Sequence, residues 1–192
     1  MRGISGAPAE REELARPIAR RLVDAVMQIH MHGLAHGDLS LENVLLAEEG
    51  GGPQAVDIRL IDFGCSTGPA ASGLRGKPSY QAPELHLEAE YDAFAVDAFS
   101  LGVMIFTVVV GNYPWSSTRP SAGGCQVFQF YAEKGLTAYL QRRRIRVDNQ
   151  VVVLSDVLSP SLTDLLAGLL AVNSSNRLTV AGACKHSWLA AP

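Results

Sequence analysis

The sequence predicts a mostly α-helical domain with a small β-hairpin in its first third. Apolar side chains recur every three or four positions over residues 14–29 and again from residue 96 onward, which is the spacing of helices that bury one face. Between these regions, two short apolar segments flank a Gly-rich stretch, as in a hairpin. Hydrophobic residues make up 47% and charged residues 18% of the chain, which suits a folded globular protein.

The first helix is predicted to follow a short Gly-, Ala- and Pro-rich start. We expect residues 1–9 to be frayed or disordered and residues 10–192 to form the domain. Pro17 marks either a kink or the first turn of the helix, and Gly33 is predicted to end it. The apolar stripe of this helix consists of Leu14, Ile18, Leu22, Val26 and Ile29.

Two strands are predicted next along the chain. Residues 44–47 are apolar, and residues 56–61 alternate in polarity over most of their length. Residues 48–53 contain two acids, three glycines and a proline, a composition typical of a turn. The two strands therefore suit an antiparallel hairpin, and the Gly-, Ser- and Pro-rich residues 65–78 are predicted to form a loop.

The remainder of the chain is predicted to be helical and to contain the core. Residues 96–110 are the most apolar run, but polar residues interrupt it and it is shorter than a bilayer span, so we expect a buried helix. Further helices are predicted at residues 125–142, 161–171 and 180–186. The run Arg142–Arg144 with Arg146 can contact a substrate or partner, but such runs are more typical of a solvated helix end.

Composition and charge exclude several classes of function. A net charge of -3 gives no bulk attraction to nucleic acid or to anionic lipid, so we expect neither partner. Three cysteines without a CxxC spacing favour neither a disulfide framework nor a zinc site. The start of the chain lacks the apolar segment of a signal peptide, so we expect an intracellular, cytoplasmic location.

Three polar side chains beside the predicted hairpin can form one site. Asp38 and Asn43 precede the first strand closely, and Asp62 follows the second strand. Two carboxylates and an amide supply hard oxygen ligands, which suit Mg²⁺ together with phosphate groups. The residue types alone leave many other possibilities open.

The order of the motifs narrows those possibilities. Residues 36–43 read His-Gly-Asp-Leu-Ser-Leu-Glu-Asn and match the protein-kinase catalytic loop H-R-D-x-x-x-x-N at every fixed position except the Arg. Residues 62–64 are Asp-Phe-Gly and residues 82–84 are Ala-Pro-Glu. Residues 97–102, 176–179 and 186–189 also resemble later segments of that family. From about residue 10 to 189, the chain resembles the C-terminal lobe of eukaryotic serine/threonine protein kinases, a mostly helical lobe with a small β-hairpin.

The resemblance implies phosphoryl transfer from ATP and Mg²⁺ to a hydroxyl of a protein substrate. Asp38 would orient that hydroxyl and accept its proton. Asn43 and Asp62 would bind Mg²⁺ and, through it, the phosphates, and Leu45 would form the floor under the adenine. The resemblance also implies structural roles: a stack of His36 on Phe63, a buried Glu84–Arg177 ion pair, and hydrogen bonds from Asp97 to the backbone of the catalytic loop.

Gly37 is the first departure from the family pattern. It replaces the Arg that neutralises a phosphate on the activation loop, so the chain is of the non-RD type. We therefore expect that phosphorylation of the activation loop is not the on-switch. The candidate acceptors in that loop are Ser66, Thr67, Ser72 and Ser79.

A second departure exchanges two neighbouring positions of the site. Ser40 stands where serine/threonine kinases usually carry a Lys that reaches the γ-phosphate, and Lys77 stands where they usually carry a Thr. A point charge can serve a phosphate from either side. Lys77 is therefore a candidate catalytic residue that supplies the missing cation.

The segments that form an N-terminal lobe are the third departure. The chain shows no Gly-rich phosphate loop ahead of the first helix and no strand lysine with a partner Glu. We expect the lobe face to be covered by a missing N-lobe or by a partner, and these residues alone to show no kinase activity. The main hypothesis is a serine/threonine kinase represented by a partial catalytic domain, and the alternative is a pseudokinase-like scaffold or binding module.

Overall fold

The fold is taken from a computed structural model that describes residues 8–48, 56–120, 124–147 and 150–190. The start predicted to be frayed covers residues 1–9, of which residues 1–7 lie outside the described residues and residues 8 and 9 lie in the first helix. Most of the predicted turn at residues 48–53 also lies outside the described residues. The described chain is mostly helical with three small antiparallel sheets of two strands each. The predicted class, a kinase-like helical fold with a β-hairpin, is thus confirmed in its elements.

Helix α1 spans Pro8–Met31 and packs on the core with a stripe of small and branched side chains. Pro17 lies inside it rather than in its first turn, and Gly33 (φ 75°) ends it as predicted, with the Leu34 N–H bonded to the Ile29 carbonyl. The predicted stripe was wrong at Leu14, which is 46% exposed. Short side chains at the neighbouring positions turn inward instead, and the buried residues of α1 include Ala15, Ala19, Leu22, Val23 and Val26.

The predicted hairpin is confirmed. Strands β1 (Val44–Glu48) and β2 (Val56–Leu60) pair antiparallel, with Val44 opposite Leu60. The register continues one step beyond the strands, since the Ile61 N–H donates to the Asn43 carbonyl at 3.0 Å. The hairpin therefore brings the end of the catalytic loop and the start of the Asp62 segment together.

Helix α2 (Ala93–Val110) forms the centre of the core. Asp92 caps its start by accepting the N–H groups of Phe94 and Ala95, and Gly111 ends it in the left-handed region. The helix has the length and hydropathy of a membrane span, yet 78% of it is buried inside the protein, so the predicted core helix is confirmed. A Cβ on Gly102 would lie 2.9 Å from Leu169, which shows how closely the last helices approach.

The helices predicted at residues 125–142 and 161–171 are present, with ends within two residues of the prediction, whereas the one predicted at residues 180–186 is divided. Helix α3 (Gln126–Arg142) is interrupted at Gly135, whose φ of 79° and ψ of 174° are not helical. Helix α4 (Pro160–Leu169) starts at its Ser159 cap. The predicted helix at residues 180–186 was wrong: α5 (Val180–Ala183) and α6 (Ser187–Ala190) are separate, because the chain turns at His186, whose ring nitrogen accepts the Trp188 N–H.

Two small sheets were not predicted. Strand β3 (Ala70–Ser72), inside the region predicted to be loop, pairs with β4 (Glu90–Asp92), and β5 (Arg144–Val147) pairs with β6 (Gln150–Val153). The three residues of β3 and of β4 are too few for a periodic pattern, whereas residues 144–147 alternate in polarity but were interpreted as a helix end. The arginine run is therefore only partly a helix end, because Arg144 and Arg146 lie in β5. Single 3₁₀ turns occupy Leu41–Asn43, Phe63–Cys65, Pro83–His86, Leu154–Asp156 and Ser174–Asn176.

Candidate active site

The catalytic loop is fixed to the central helix by one buried carboxylate. Asp97 is 1% exposed, and its two oxygens accept the backbone N–H groups of His36 at 2.7 Å and Gly37 at 3.0 Å. His30 of α1 contacts the same carboxylate at 3.0 Å and stacks on Phe94. The predicted role of Asp97 is confirmed, whereas His30 was not predicted, because an isolated His on a helix has no distinguishing spacing.

His36 has a structural role, as predicted. Its ring is fully buried and lies 4.9 Å from the Phe63 ring. The Nδ1 atom accepts the Asp38 N–H at 3.3 Å, and Nε2 lies 3.1 Å from the Ile61 carbonyl. These partners assign the proton to Nε2 of a neutral imidazole, which then donates to Ile61. The ring thus joins the catalytic loop to the segment that carries Asp62.

Asp38 and Asn43 form a hydrogen-bonded pair within the catalytic loop. The Asn43 side-chain NH₂ donates to the Asp38 carbonyl at 2.8 Å and to Asp38 Oδ2 at 2.9 Å. The second carboxylate oxygen, Oδ1, is buried and has no hydrogen-bond partner among the residues that the structure describes. A buried acceptor without a hydrogen-bond partner destabilises the folded protein, so a purely structural role does not explain Oδ1. Oδ1 is therefore the atom of this loop that is available to a donor from a substrate.

Asp62 has an unusual backbone conformation. With φ 64° and ψ 70°, it is the only non-glycine residue with positive φ in the described part of the chain. Such a conformation in a non-glycine residue costs free energy and is common at functional sites. Its carboxylate is exposed, and Oδ1 accepts only a long bond of 3.4 Å from the Gly64 N–H.

The hairpin places Asn43 and Asp62 at the same end, because Ile61 bonds to Asn43 and directly precedes Asp62. In residues 8–48, 56–120, 124–147 and 150–190, no group of three His, Cys, Asp or Glu side chains can hold a metal by itself. Mg²⁺ usually takes only one or two protein carboxylates and completes its shell with phosphate and water. One carboxylate and one amide at the end of the hairpin fit such an ion.

Lys77 reaches the catalytic loop from the opposite wall. Its Nζ donates to Ser40 Oγ at 2.6 Å and lies 3.7 Å from Glu42 Oε2. Partial burial of Glu42 opposes ionisation, but hydrogen bonds from its own backbone and from Tyr113, with the nearby Lys77 charge, hold the pKa of Glu42 below its ordinary value. An ammonium and an ionised carboxylate therefore flank Ser40.

A chain of tyrosines supports this wall of the site and was not predicted. The Tyr80 hydroxyl accepts the Leu41 N–H at 3.2 Å and donates to the Tyr113 hydroxyl at 3.2 Å, which in turn donates to Glu42 at 3.1 Å. Burial raises the pKa of Tyr80 far above its ordinary value, so it remains a donor. Single tyrosines in loops give no periodic signal in a sequence.

Gly37 lies where the family motif has Arg. Its φ is 75°, and a Cβ atom there would lie 2.4 Å from the Cys65 carbonyl oxygen. Arg75, from the following loop, donates to the same carbonyl at 3.0 Å and also bonds to the Ser72 carbonyl. The backbone around Cys65 thus occupies the space beside the loop, and Arg75 is a contact that sequence reasoning missed.

Several apolar side chains on and beside the hairpin face solvent, whereas Ile58 of β2 is buried. Leu45 lies opposite Arg59 and is 51% exposed, and Ile61 and Phe63 are also exposed. In contrast, Glu84 and Arg177 form a deeply buried bidentate ion pair, with Arg177 Nη2 2.9 Å from Glu84 Oε2, as the resemblance implied. The Glu84–Arg177 pair is therefore enclosed in the core, whereas Leu45, Ile61 and Phe63 present apolar surface to solvent.

Comparisons with known proteins agree with this geometry. The protein kinase domain family matches residues 5–189. CBL-interacting protein kinase 1 of Oryza sativa subsp. japonica is 30% identical over 192 residues, which cover 96% of this chain and 36% of that protein. Testis-specific serine/threonine-protein kinase 5 of Mus musculus is 28% identical over 187 residues (95% and 43%). Protein kinase domain-containing protein ppk9 of Schizosaccharomyces pombe is 28% identical over 180 residues (92% and 29%). The chain thus spans less than half the length of these curated relatives.

Proposed function

The chain belongs to the protein kinase family, and on that premise we propose that it contributes the catalytic loop of a serine/threonine protein kinase. The reaction is transfer of the γ-phosphoryl group of ATP to a hydroxyl of a protein substrate. The observation that carries this proposal is the Asp38–Asn43 pair, which lies beside Asp62 at the end of the hairpin and whose Asp38 Oδ1 has no hydrogen-bond partner in the described part of the chain.

In this proposal Asp38 is the residue that receives the substrate hydroxyl. Asn43 holds one carboxylate oxygen, so the other, Oδ1, can accept the hydroxyl proton. As the hydroxyl oxygen bonds to the γ-phosphorus, the bond from that phosphorus to the departing ADP oxygen breaks, and the proton passes to Asp38. Because the pair is fixed through His36 and Asp97, little reorganisation is required.

Asn43 and Asp62 are the proposed metal ligands of the chain. Bound Mg²⁺ would neutralise charge on the phosphates. Asp62 offers an exposed carboxylate with one weak hydrogen bond, so binding a cation breaks little existing structure. Its left-handed backbone aims the residue away from the regular course of β2, which accounts for the strain at this position.

Lys77 is the proposed phosphate-binding cation. Its contact with Ser40 puts a positive charge on the catalytic loop at the position where relatives of this type usually carry one. An ammonium acts as a point charge with rotatable donors, so its origin in a different segment does not prevent contact with a phosphate oxygen. Without a bound phosphate, the Glu42 carboxylate offsets the positive charge of Lys77.

Leu45, Ile61 and Phe63 form the exposed apolar surface beside these groups. We propose that Leu45 supports the adenine ring and that the rest of the surface contacts a further part of the catalytic domain or a partner. Contiguous apolar surface of this kind usually marks an interface.

Mg²⁺-dependent ATP binding tests the proposal. Isothermal titration calorimetry on the full-length native polypeptide should detect ATP binding with Mg²⁺ and lose most of it in EDTA. Asp62→Asn should weaken binding about tenfold or more, since it removes a charged ligand. Asp57→Asn, an exposed carboxylate on β2, is the matched control and should have no effect.

A scaffold without catalysis is the second candidate, favoured by the exposed apolar surface and by Gly37. A folded protein that binds no ATP, or binds it equally in EDTA, would reject the kinase proposal and leave the scaffold. Equal weakening by Asp57→Asn would also reject the assigned role of Asp62.

A further inference from the structure

A cleft of about 480 Å³ lies along helix α3, apart from the candidate active site. It exists because Gly135 interrupts the helix and lets its last turn lie beside its first turns. Its lining combines two arginines with two aromatic side chains, one carboxylate and exposed polar side chains. The lining residues include Gln126, Val127, Gln129, Phe130, Arg142 and Arg143.

The arginine and the aromatic ring at the centre of the cleft contact each other. The Arg142 guanidinium carbon lies 4.9 Å from the centre of the Phe130 ring, a cation–π distance. The contact holds the guanidinium over the ring, and the Arg142 side chain remains exposed to solvent. Val127 is 37% exposed one turn earlier, so the cleft also offers apolar surface.

Only some of the N–H donors of Arg143 have a hydrogen-bond acceptor among the described residues. One nitrogen, Nη2, donates to the Tyr113 carbonyl at 3.2 Å. Its Nε is buried and has no acceptor within the described ranges. A buried guanidinium N–H without an acceptor is unfavourable, and a carboxylate oxygen is its best partner because the two can form parallel hydrogen bonds.

The charge in the cleft is positive. Among the described residues, neither Arg142 nor Arg143 forms an ion pair with a carboxylate. Glu133 also lines the cleft and forms an exposed ion pair with Lys134 Nζ at 2.7 Å, which offsets only part of its negative charge. Two arginines thus outweigh one carboxylate in the lining of the cleft, in a chain whose net charge is -3.

We infer that this cleft binds an acidic segment of a protein partner. Carboxylates of that segment pair with Arg142 and Arg143, and an adjacent apolar side chain packs on Phe130 and Val127. Planar guanidinium groups favour carboxylates, and the apolar floor favours a peptide over a purely ionic polyanion. The volume suits a few side chains of an extended peptide.

Fluorescence anisotropy tests this inference with a defined probe, a short fluorescein-labelled Glu-rich peptide that contains one Leu. The full-length native polypeptide should bind it at low salt and more weakly at high salt. Arg142→Gln combined with Arg143→Gln should weaken binding about tenfold. Arg20→Gln combined with Arg21→Gln, on α1, is the matched control and should leave binding unchanged.

Two further variants keep the test valid if the arginine variant unfolds. Gln126→Glu combined with Gln129→Glu adds negative charge to exposed helix positions and should also weaken binding, whereas Glu133→Gln should strengthen it. The inference is overturned if the probe does not bind, if the α1 control weakens binding as much, or if Glu133→Gln has no effect. Binding that a Glu-rich peptide without Leu reproduces fully would overturn the apolar part, and tighter binding of single-stranded RNA would overturn the choice of a peptide.

Discussion

At the scale of single residues, the exchange of Ser40 and Lys77 is the most informative feature of the site. Either residue alone departs from the family pattern, but the structure joins them by a 2.6 Å hydrogen bond. We therefore treat the two substitutions as one hypothesis, in which the facing segment supplies the cation that the catalytic loop lacks. Residues in direct contact are expected to show non-additive effects when they are mutated.

We predict that Lys77→Met in the full-length kinase lowers kcat about a hundredfold, because it removes the cation from the γ-phosphate. Ser40→Lys combined with Lys77→Thr should restore most of that loss by returning the charge to the catalytic loop. Steady-state phosphotransfer measures both, and Lys134→Met, at an exposed position on α3, is the control. Unchanged turnover in Lys77→Met would remove this residue from the mechanism.

Gly37 shows how one residue without a side chain determines local packing. We predict that Gly37→Ala lowers the free energy of unfolding by about 2 kcal/mol more than Gly33→Ala. Both glycines have φ 75°, but a Cβ on Gly33 meets no atom within 4 Å, whereas one on Gly37 meets the Cys65 carbonyl at 2.4 Å. Denaturant unfolding of both variants measures the comparison, because the backbone strain is common to the two positions and the clash occurs only at Gly37. Equal losses of unfolding free energy would show that the Cys65 segment moves to relieve the clash.

At the scale of elements, hydrogen bonds within the segment from Asp62 to Glu84 and to its neighbours hold that segment in place. Thr67 exchanges two backbone hydrogen bonds with Ala35, and the Tyr91 hydroxyl donates to the Gly73 carbonyl at 2.6 Å. Arg75 bonds to the Cys65 carbonyl. These contacts place the segment without a phosphate, which matches the absence of the Arg that would bind one.

We therefore predict that replacing the four activation-loop hydroxyl residues by Ala leaves kinase activity within about twofold of the wild type. Arg75→Ala should lower activity more, since it releases a contact that orders the loop. The assay is phosphotransfer by the full-length protein, with circular dichroism to establish folding. Loss of activity in the folded quadruple variant would reinstate phosphorylation as the on-switch. The quadruple variant replaces Ser66, Thr67, Ser72 and Ser79.

The start of helix α3 carries a thiol with an altered acidity. Burial alone would raise the pKa of this thiol, that of Cys125. Hydrogen bonds from the Ser116 side chain and from backbone N–H groups outweigh burial and lower the pKa of Cys125 to about 7. Burial raises the pKa of Cys184 above its ordinary value. Because only the thiolate is alkylated, we predict that Cys125 reacts with iodoacetamide with a midpoint near pH 7, while Cys184 needs a higher pH. Peptide mass spectrometry across a pH series measures both, and equal midpoints would contradict the prediction.

The sequence predicted elements with long patterns better than short ones. The α1, α2 and hairpin patterns were sufficient because each has a clear period or a turn composition, whereas β3 and β4 have only three residues each. Strand β5 alternates in polarity but was missed because its arginines were interpreted as a helix end, and β6 does not alternate. Leu14 was misplaced because Ala15 and Ala19 bury the adjacent stripe, and small side chains add little to an apolar pattern.

The candidate site likewise contains residues that the sequence indicated and residues that it did not. Motif order indicated Asp38, Asn43 and Asp62, but the contacts of His30, Arg75 and Tyr113 depend on tertiary packing between distant segments. A single sequence contains no record of such contacts. The motifs therefore supplied the identity of the candidate groups, and the structure adds the contacts that hold them.

At the scale of the whole molecule, one carboxylate joins both ends of the described chain. Glu12 of α1 is buried and accepts the N–H and hydroxyl of Ser159 at 2.6 and 2.7 Å and the indole N–H of Trp188 at 2.9 Å. These hydrogen bonds and the buried Glu84–Arg177 ion pair both join segments that are distant in sequence within the helical core. The exposed apolar side chains at the hairpin lie at the functional end, where ATP and a covering surface are proposed to bind.

The central claim is that Asp38, Asn43 and Asp62 perform phosphoryl transfer. The most direct measurement is transfer of labelled γ-phosphate from ATP to a protein substrate by the full-length native polypeptide, comparing the wild type with Asp38→Asn. We predict Mg²⁺-dependent transfer that Asp38→Asn lowers by a factor of about 10² to 10⁴, since the proton acceptor is lost while the hydrogen-bonded pair is kept in shape. Absence of transfer by the folded wild type, or equal transfer by both proteins, would contradict the account.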